Sequence, residues 1–334
     1  MMETRKKVLA SILFFSFIVA GIFVIPAHPA FAQKVELSLA HQAPTTFVYQ
    51  MIAEKFKEML EKKVGNRVTV KIYPQGQLGQ EKDSLEGEII GTVDMALVTS
   101  GLLTLWEPQM VYVDLPYLYR DIDHATKVTN GPIGESINKK LEKHGIMVLY
   151  LGDMGYQSIY NRKQPIFKPA DFADMKVRVI QNPLQVDLVN AWGAKAVPMN
   201  FGEVYTALQQ RVIDAALNEP YTYEIVKHYE VAPYYSITNH LHKAYAFTMS
   251  KKKFDSLPKD VQQAVQEIAK SLIPISLQIT QEIDYKVIGK LVRENRVQFN
   301  TADIEAFRRI SKPVGDKYFE KVGMDTIEKI KAVK

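Results

Sequence analysis

Apolar and polar residues alternate through Val35-Glu36-Leu37-Ser38-Leu39-Ala40, and a period of two predicts a strand. After turn chemistry at 41–46 the period lengthens. Val48, Met51, Ile52, Phe56, Met59 and Leu60 recur every three or four residues, which predicts a helix that Gly65 ends. A strand over 67–73, a turn over 74–79, a short helix opened by Glu81 and ended near Gly91, and a strand over 93–98 follow. This β-α-β-α-β order predicts a mostly parallel sheet with helices on its faces. A turn-rich aromatic stretch at 115–124 leads into one amphipathic helix over 125–144, and a strand over 146–151 comes next. Between 171 and 221 strand and helix alternate three times. A strand over 244–250 then precedes a helical pattern over 258–294, which Pro274 is expected to kink or divide. The tail from 302 reads as two further amphipathic helices.

Two polar residues stand at strand-to-helix junctions of the 171–221 stretch. Arg178 lies opposite Val177 and Val179 in a strand that stops at Gln181-Asn182-Pro183, and Asn218 ends a second strand before Pro220. Ligands of open α/β sheets sit beyond the carboxyl ends of the strands, so the two side chains can face one ligand. A guanidinium offers a planar fork to a carboxylate, and a carboxamide offers both donors and an acceptor. Each has a bland alternative: a solvated or ion-paired strand arginine, and an asparagine that caps the next helix. Phe201 suits an apolar pocket wall or ordinary core packing. The chain contains no Gly-x-Ser-x-Gly, no GxGxxG after a strand, no Walker lysine and no His-Glu-x-x-His. His228, His240 and His242 come with no carboxylate cluster, so neither a metal site nor a cofactor is expected.

Composition adds the compartment. The 334 residues, 47% hydrophobic and 24% charged, are ordinary for a folded protein long enough for two domains. Arg5-Lys6-Lys7, an apolar run over 8–25 and Ala30-Phe31-Ala32 read as a secretory signal peptide over 1–32, cleaved near Ala32. Cleavage removes three basic residues and one acidic one and lowers the net charge from +5 to +3, too little to draw the protein to nucleic acid or to a membrane. No cysteine is present, which excludes disulfides, thiol catalysis and a lipid-modified N-terminal cysteine. A freely diffusing periplasmic protein with no direct membrane insertion after cleavage is the expectation.

The chain resembles the extracytoplasmic substrate-binding proteins of TRAP transporters, the dicarboxylate-binding receptor family. The resemblance is carried by an ordered set of short pieces: Ala40-His41, Gln77-Leu78-Gly79-x-Glu81, Gly91-Thr92-Val93-Asp94-Met95-Ala96, Leu115-Pro116-Tyr117-Leu118-Tyr119-Arg120-Asp121 with His124, Gly131-Pro132-Ile133-Gly134, Lys176-Val177-Arg178-Val179, Trp192-Gly193-Ala194, Glu203-Val204-Tyr205-x-Ala207-Leu208-Gln209, Val212-Ile213-Asp214 and Asn218-x-Pro220. It implies an α/β, two-lobed periplasmic binding protein fold with mixed sheets, hinge strands and a long lobe-spanning helix. The lobes expected are 33–155 with 245–284, and 156–244 with 285–334. It also implies a protein without catalysis that captures an organic acid and hands it to TRAP membrane permease subunits driven by an ion gradient. On the family pattern Arg178 bridges the ligand carboxylate, Asn218 hydrogen-bonds the same group and Phe201 packs on the carbon skeleton. Glu81 and the 41–47 loop with His41 line the pocket from the first lobe. Gln157 stands where many relatives carry a second arginine, which points to one carboxylate held firmly; Asn182 completes the expected ligand-binding set. Arg211 stands where relatives often have glycine. Two other readings share the sequence features: a binding protein feeding a sensor or an ATP-driven importer, and a periplasmic enzyme of the same fold.

Overall fold

The computed structural model describes residues 34–334, and the expected signal peptide lies outside them. The alternating N-terminal stretch forms β1 (Val35–Ala40), followed by α1 (Val48–Val64), β2 (Val68–Tyr73), α2 (Glu81–Ile90) and β3 (Met95–Thr99). The helix expected over 125–144 is three pieces instead: α3 (Ile122–Thr129), α4 (Pro132–Asn138) and a 3-10 turn, Lys139–His144. Pro132 has no N–H to continue α3 and takes the first position of α4, while the Asn130 carboxamide bonds Leu151 N and O, at 3.0 and 2.8 Å.

The strand expected over 146–151 runs on as β4 (Ile146–Asn161), through Gly152 and Gly155, residues that read locally as a break. The 171–221 stretch folds as expected into β5 (Lys176–Val179), α5 (Pro183–Ala191), β6 (Lys195–Pro198), α6 (Val204–Gln209), β7 (Ala215–Asn218) and α7 (Pro220–Ile225). Arg211, just past α6, has a φ of 63°, the left-handed conformation that glycine adopts most readily. The strand expected over 244–250 begins ten residues earlier, as β8 (Tyr234–Ser250). After α8 (Lys251–Ser256), α9 (Lys259–Arg293) runs unbroken for 35 residues with Pro274 inside it, so the proline does not divide the helix. A short β9 (Gln298–Thr301), absent from the sequence reading, precedes α10 (Ile304–Val322) and α11 (Met324–Ala332).

One mixed sheet has the order β2-β1-β3-β8-β4-β7-β5-β6, with β9 on β8. β1 pairs in parallel with β2 and β3, and β5 pairs in parallel with β6 and β7. The two parallel blocks are joined by β8 and β4, which run antiparallel to each other and to β3 and β7. Both faces are covered, and adjacent residues of a strand enter different cores: Met95 and Leu97 pack with α1 and α9 residues such as Phe56 and Val265, whereas Ala96 and Val98 pack with Leu102 and Tyr112. The β4–β8 pairing shifts register at three places, one of them between Asp153 and Tyr156, where Gly155 has a φ of 84°.

Candidate functional site

Beyond the carboxyl ends of β3 and β5 two small cavities of about 20 Å³ each adjoin, sharing Gln42, Glu81 and Phe201 in their walls. Arg178 lines one of them and is only 4% exposed, so the solvated-arginine reading is wrong. Val177 and Val179 point into the opposite core, as the alternation required. Arg178 Nε donates to the Met199 carbonyl at 3.0 Å and its Cζ lies 5.9 Å from the centre of the Phe201 ring. Among the described residues it makes no ion pair with a carboxylate. Burial pulls its pKa down, yet an arginine remains a cation at any physiological pH.

The second cavity is lined by Phe47, Tyr49, Thr99, Met154, Thr222 and Lys243 beside the shared residues. Lys243 was missed in the sequence. Its Nζ donates to Asn218 Oδ1 at 2.7 Å and to Glu219 Oε2 at 2.9 Å, and both partners are buried. A lysine donates only, so the bond assigns the carboxamide oxygen and leaves Nδ2 on the other side, 3.4 Å from the Tyr160 hydroxyl. Tyr160 in turn bonds His228 Nδ1 at 2.7 Å. Asn218 does not cap α7; the residue at that cap is Glu219, with no side-chain bond of that kind.

Glu81 begins α2 and is buried, with Oε1 accepting from Thr99 N at 2.9 Å and Thr99 Oγ1 at 3.1 Å. Burial raises its pKa, opposed by the two Thr99 bonds and by the nearby Lys243 and Arg178. Phe201 opens a 3-10 turn between the cavities. Asn218 and the other three expected residues do not line either cavity. His41 is buried next to the lining residue Gln42 and bonds Gln50 through Nε2 at 2.9 Å. Asn182 caps α5 through Leu184 N and spends its amide N–H groups on Asp114, at 2.8 Å, and on the Gly101 carbonyl, at 3.3 Å. Asp114 is itself buried, which pushes its pKa up to about 7. Gln157 is buried in β4 with Oε1 lacking a partner.

The Arg178 guanidinium lines one cavity and the Lys243 ammonium the other, Glu81 and the Phe201 ring stand in the walls of both, and Asn218 lies behind Lys243, bonded to its ammonium. Among the described residues no group of three or more His, Asp or Glu side chains is placed to hold a metal ion. The three histidines of the 228–242 stretch go separate ways, His228 to Tyr160, His240 to Thr238 and His242 to Asp153.

Residues 39–322 match the bacterial extracellular solute-binding protein family 7, or DctP family. The chain belongs to this family. The C4-dicarboxylate-binding periplasmic protein DctP of Rhodobacter capsulatus is 30% identical over 310 residues, 91% of this chain and 92% of that one. A TRAP periplasmic solute-binding protein from Bradyrhizobium, solved in complex with galacturonate, is 34% identical with a TM-score of 0.85 and covers 89% of this chain and 99% of that one. Another from Pseudomonas putida F1, with bound D-glucuronate, is 30% identical with a TM-score of 0.86 over 90% and 98% of the two chains. This DctP-family chain therefore has the two-lobed α/β fold of TRAP solute-binding receptors, a periplasmic family that works with membrane permease subunits. None of its helices among the described residues is long and apolar enough to cross a membrane.

Proposed function

We propose that this protein captures a hydroxylated monocarboxylate of the sugar-acid type and delivers it, without chemical change, to the membrane subunits of a TRAP permease. The observation that carries the reading is the inequality of the two cations in the cleft. Lys243 is matched by Glu219 at 2.9 Å, whereas Arg178 has no carboxylate partner among the described residues. One ligand carboxylate supplies that partner, with Asn218 Nδ2 as the second donor. A second carboxylate would meet Glu81 and Glu219, whereas a hydroxyl donates to Glu81 and accepts from the third N–H of Lys243. Gln157, neutral at the position where the resemblance implies a second arginine in many relatives, supports the same reading. The uronates bound by the Bradyrhizobium and Pseudomonas proteins have this chemistry.

The lobes of this reading are 33–155 with 245–284 and 156–244 with 285–334. The β4–β8 register shift at Asp153/Tyr156 falls at the proposed crossing, which makes it the natural hinge. Secretion with cleavage near Ala32 brings the protein to the periplasm. Calorimetric titration with D-galacturonate, D-glucuronate and succinate tests the proposal. The uronates should bind more tightly than succinate, and Arg178→Ala should weaken uronate binding by about 2–5 kcal/mol, tens to thousands of times in affinity. Tighter binding of succinate sinks the ligand class, an unchanged affinity in Arg178→Ala sinks the clamp, and turnover of the bound acid sinks the receptor.

A further inference from the structure

His242 and Lys243 are successive residues of β8 and leave opposite faces of the strand. Lys243 lines the ligand cleft; His242 lines a separate cavity of about 500 Å³, which shares no lining residue with that cleft. Its walls come from the loop before α3, from the β4–β8 crossing and from α10, so it lies behind the proposed hinge. The rings of Tyr117, Tyr119 and Tyr156 and the guanidiniums of Arg120 and Arg308 line it, and no Asp or Glu does.

Two polar atoms there are removed from water without a partner. The His242 side chain is 1% exposed; its Nε2 bonds Asp153 Oδ1 at 2.7 Å, and its Nδ1 is left over. The Tyr156 hydroxyl is also buried and unpartnered. Buried polar groups of a folded protein are normally hydrogen-bonded, so a leftover pair in the wall of one cavity marks a place where a ligand's oxygen atoms belong. The charge around them is positive. Arg120 spends its N–H groups on the neutral carbonyls of Lys331, at 3.0 Å, and Val333, at 2.5 Å, which leaves its charge unmatched. Arg308 pairs with exposed Glu305 at 3.2 Å and lies 4.9 Å over the Tyr117 ring. Tyr119 and Tyr156 stand edge-on to the imidazole at 5.4 and 6.0 Å. Aromatic faces favour a flat apolar body, and two guanidiniums without a lining carboxylate favour an anion.

We propose that this cavity is a second small-molecule site, selective for a planar organic anion such as an aromatic carboxylate. The carboxylate end engages Arg308 and accepts from the Tyr156 hydroxyl, a ring hydroxyl donates to His242 Nδ1, whose Nε2–H is spent on Asp153, and the ring lies among the three tyrosines. Its occupant touches the crossing strands through His242, whose partner Asp153 also accepts from Thr280 Oγ1 of α9 at 3.3 Å and from Gly155 N at 3.2 Å.

The probe is 4-hydroxybenzoate, followed by saturation-transfer NMR and calorimetry on the purified protein, with 4-hydroxybenzyl alcohol as the uncharged control. Saturable binding is expected in the wild type and in Arg178→Ala, weaker by about tenfold to a hundredfold in Arg308→Ala. The alcohol should bind less tightly than the acid. Tyr156→Phe, which keeps the ring, takes the place of Arg308→Ala if circular dichroism shows that variant unfolded, and it should weaken binding in the same direction. Absence of saturable binding, an alcohol that binds as well as the acid, or an affinity unchanged by the cavity variant overturns the proposal. So does binding that disappears with Arg178→Ala, because the probe then occupies the cleft.

Discussion

Lys243 holds Asn218 and Glu219 at the same time, and each depends on it differently. Glu219 is fully buried, so Lys243→Met leaves a carboxylate without its cation, a loss of about 3–5 kcal/mol for one broken buried pair. The same change frees the Asn218 carboxamide to turn its oxygen toward the ligand carboxylate. Chemical denaturation should show the double variant Lys243→Met/Glu219→Gln recovering much of the lost stability, while uronate affinity stays low. If affinity recovers along with stability, Lys243 has no orienting role. His240 presents a different residue-scale effect. Burial holds its pKa down at about 3, so the folded protein keeps it neutral while the unfolded chain protonates it below the ordinary histidine value of about 6.5. Its contribution is therefore complete above that value and is lost as pH falls through the window toward the folded pKa. Between about pH 7.5 and about pH 5 the wild type should lose about 2 kcal/mol more than His240→Gln, measured by urea unfolding at both pH values. Parallel losses in the two proteins would rule out His240 as the titrating group.

At the level of elements, the seam between β4 and β8 carries the tightest constraint. A Cβ added at Gly152 would lie 2.1 Å from Tyr245 Cζ. That ring cannot swing aside, because its hydroxyl bonds Ser276 Oγ of α9 at 2.8 Å and the Tyr150 hydroxyl at 2.7 Å. Gly152→Ala should therefore cost about 1–3 kcal/mol through overpacking, read as a lower denaturation midpoint at an unchanged slope. A midpoint equal to that of the wild type would mean the seam gives way more easily than its hydrogen bonds imply. The same bonds help to explain why α9 continues through Pro274. A proline in a helix interior costs about 3 kcal/mol, but burial of Val265, Ile268, Ala269 and Leu272 before it and the anchors Ser276 and Thr280 after it outweigh that local preference.

For the molecule as a whole, two parallel blocks connected by two long antiparallel strands and spanned by α9 form a natural hinged pair. Solution scattering should show a smaller radius of gyration at saturating D-glucuronate than without it. Superimposable profiles under conditions where calorimetry shows full occupancy would exclude closure as the response to ligand.

The sequence alone determined the features that depend on nearby residues. The βαβ units, the helix starts at Glu81 and Pro183, and the positions of Arg178 and Asn218 at strand ends all follow from side-chain period and turn chemistry, which act over a few residues. The ordered motifs added the family. Tertiary structure decided whatever depends on distant partners. β4 passes through Gly152, which reads locally as a break, and β8 begins well before its expected start, because their pairing with each other satisfies the backbone across about ninety residues of chain. The amide N–H groups of Asn182 are held by Asp114 and Gly101, partners that only the fold brings against it. Lys243, one charged residue in His-Leu-His-Lys-Ala-Tyr-Ala-Phe, carried no local sign of its burial, since a lysine is held inside only when a fold places partners such as Glu219 and Asn218 at its ammonium.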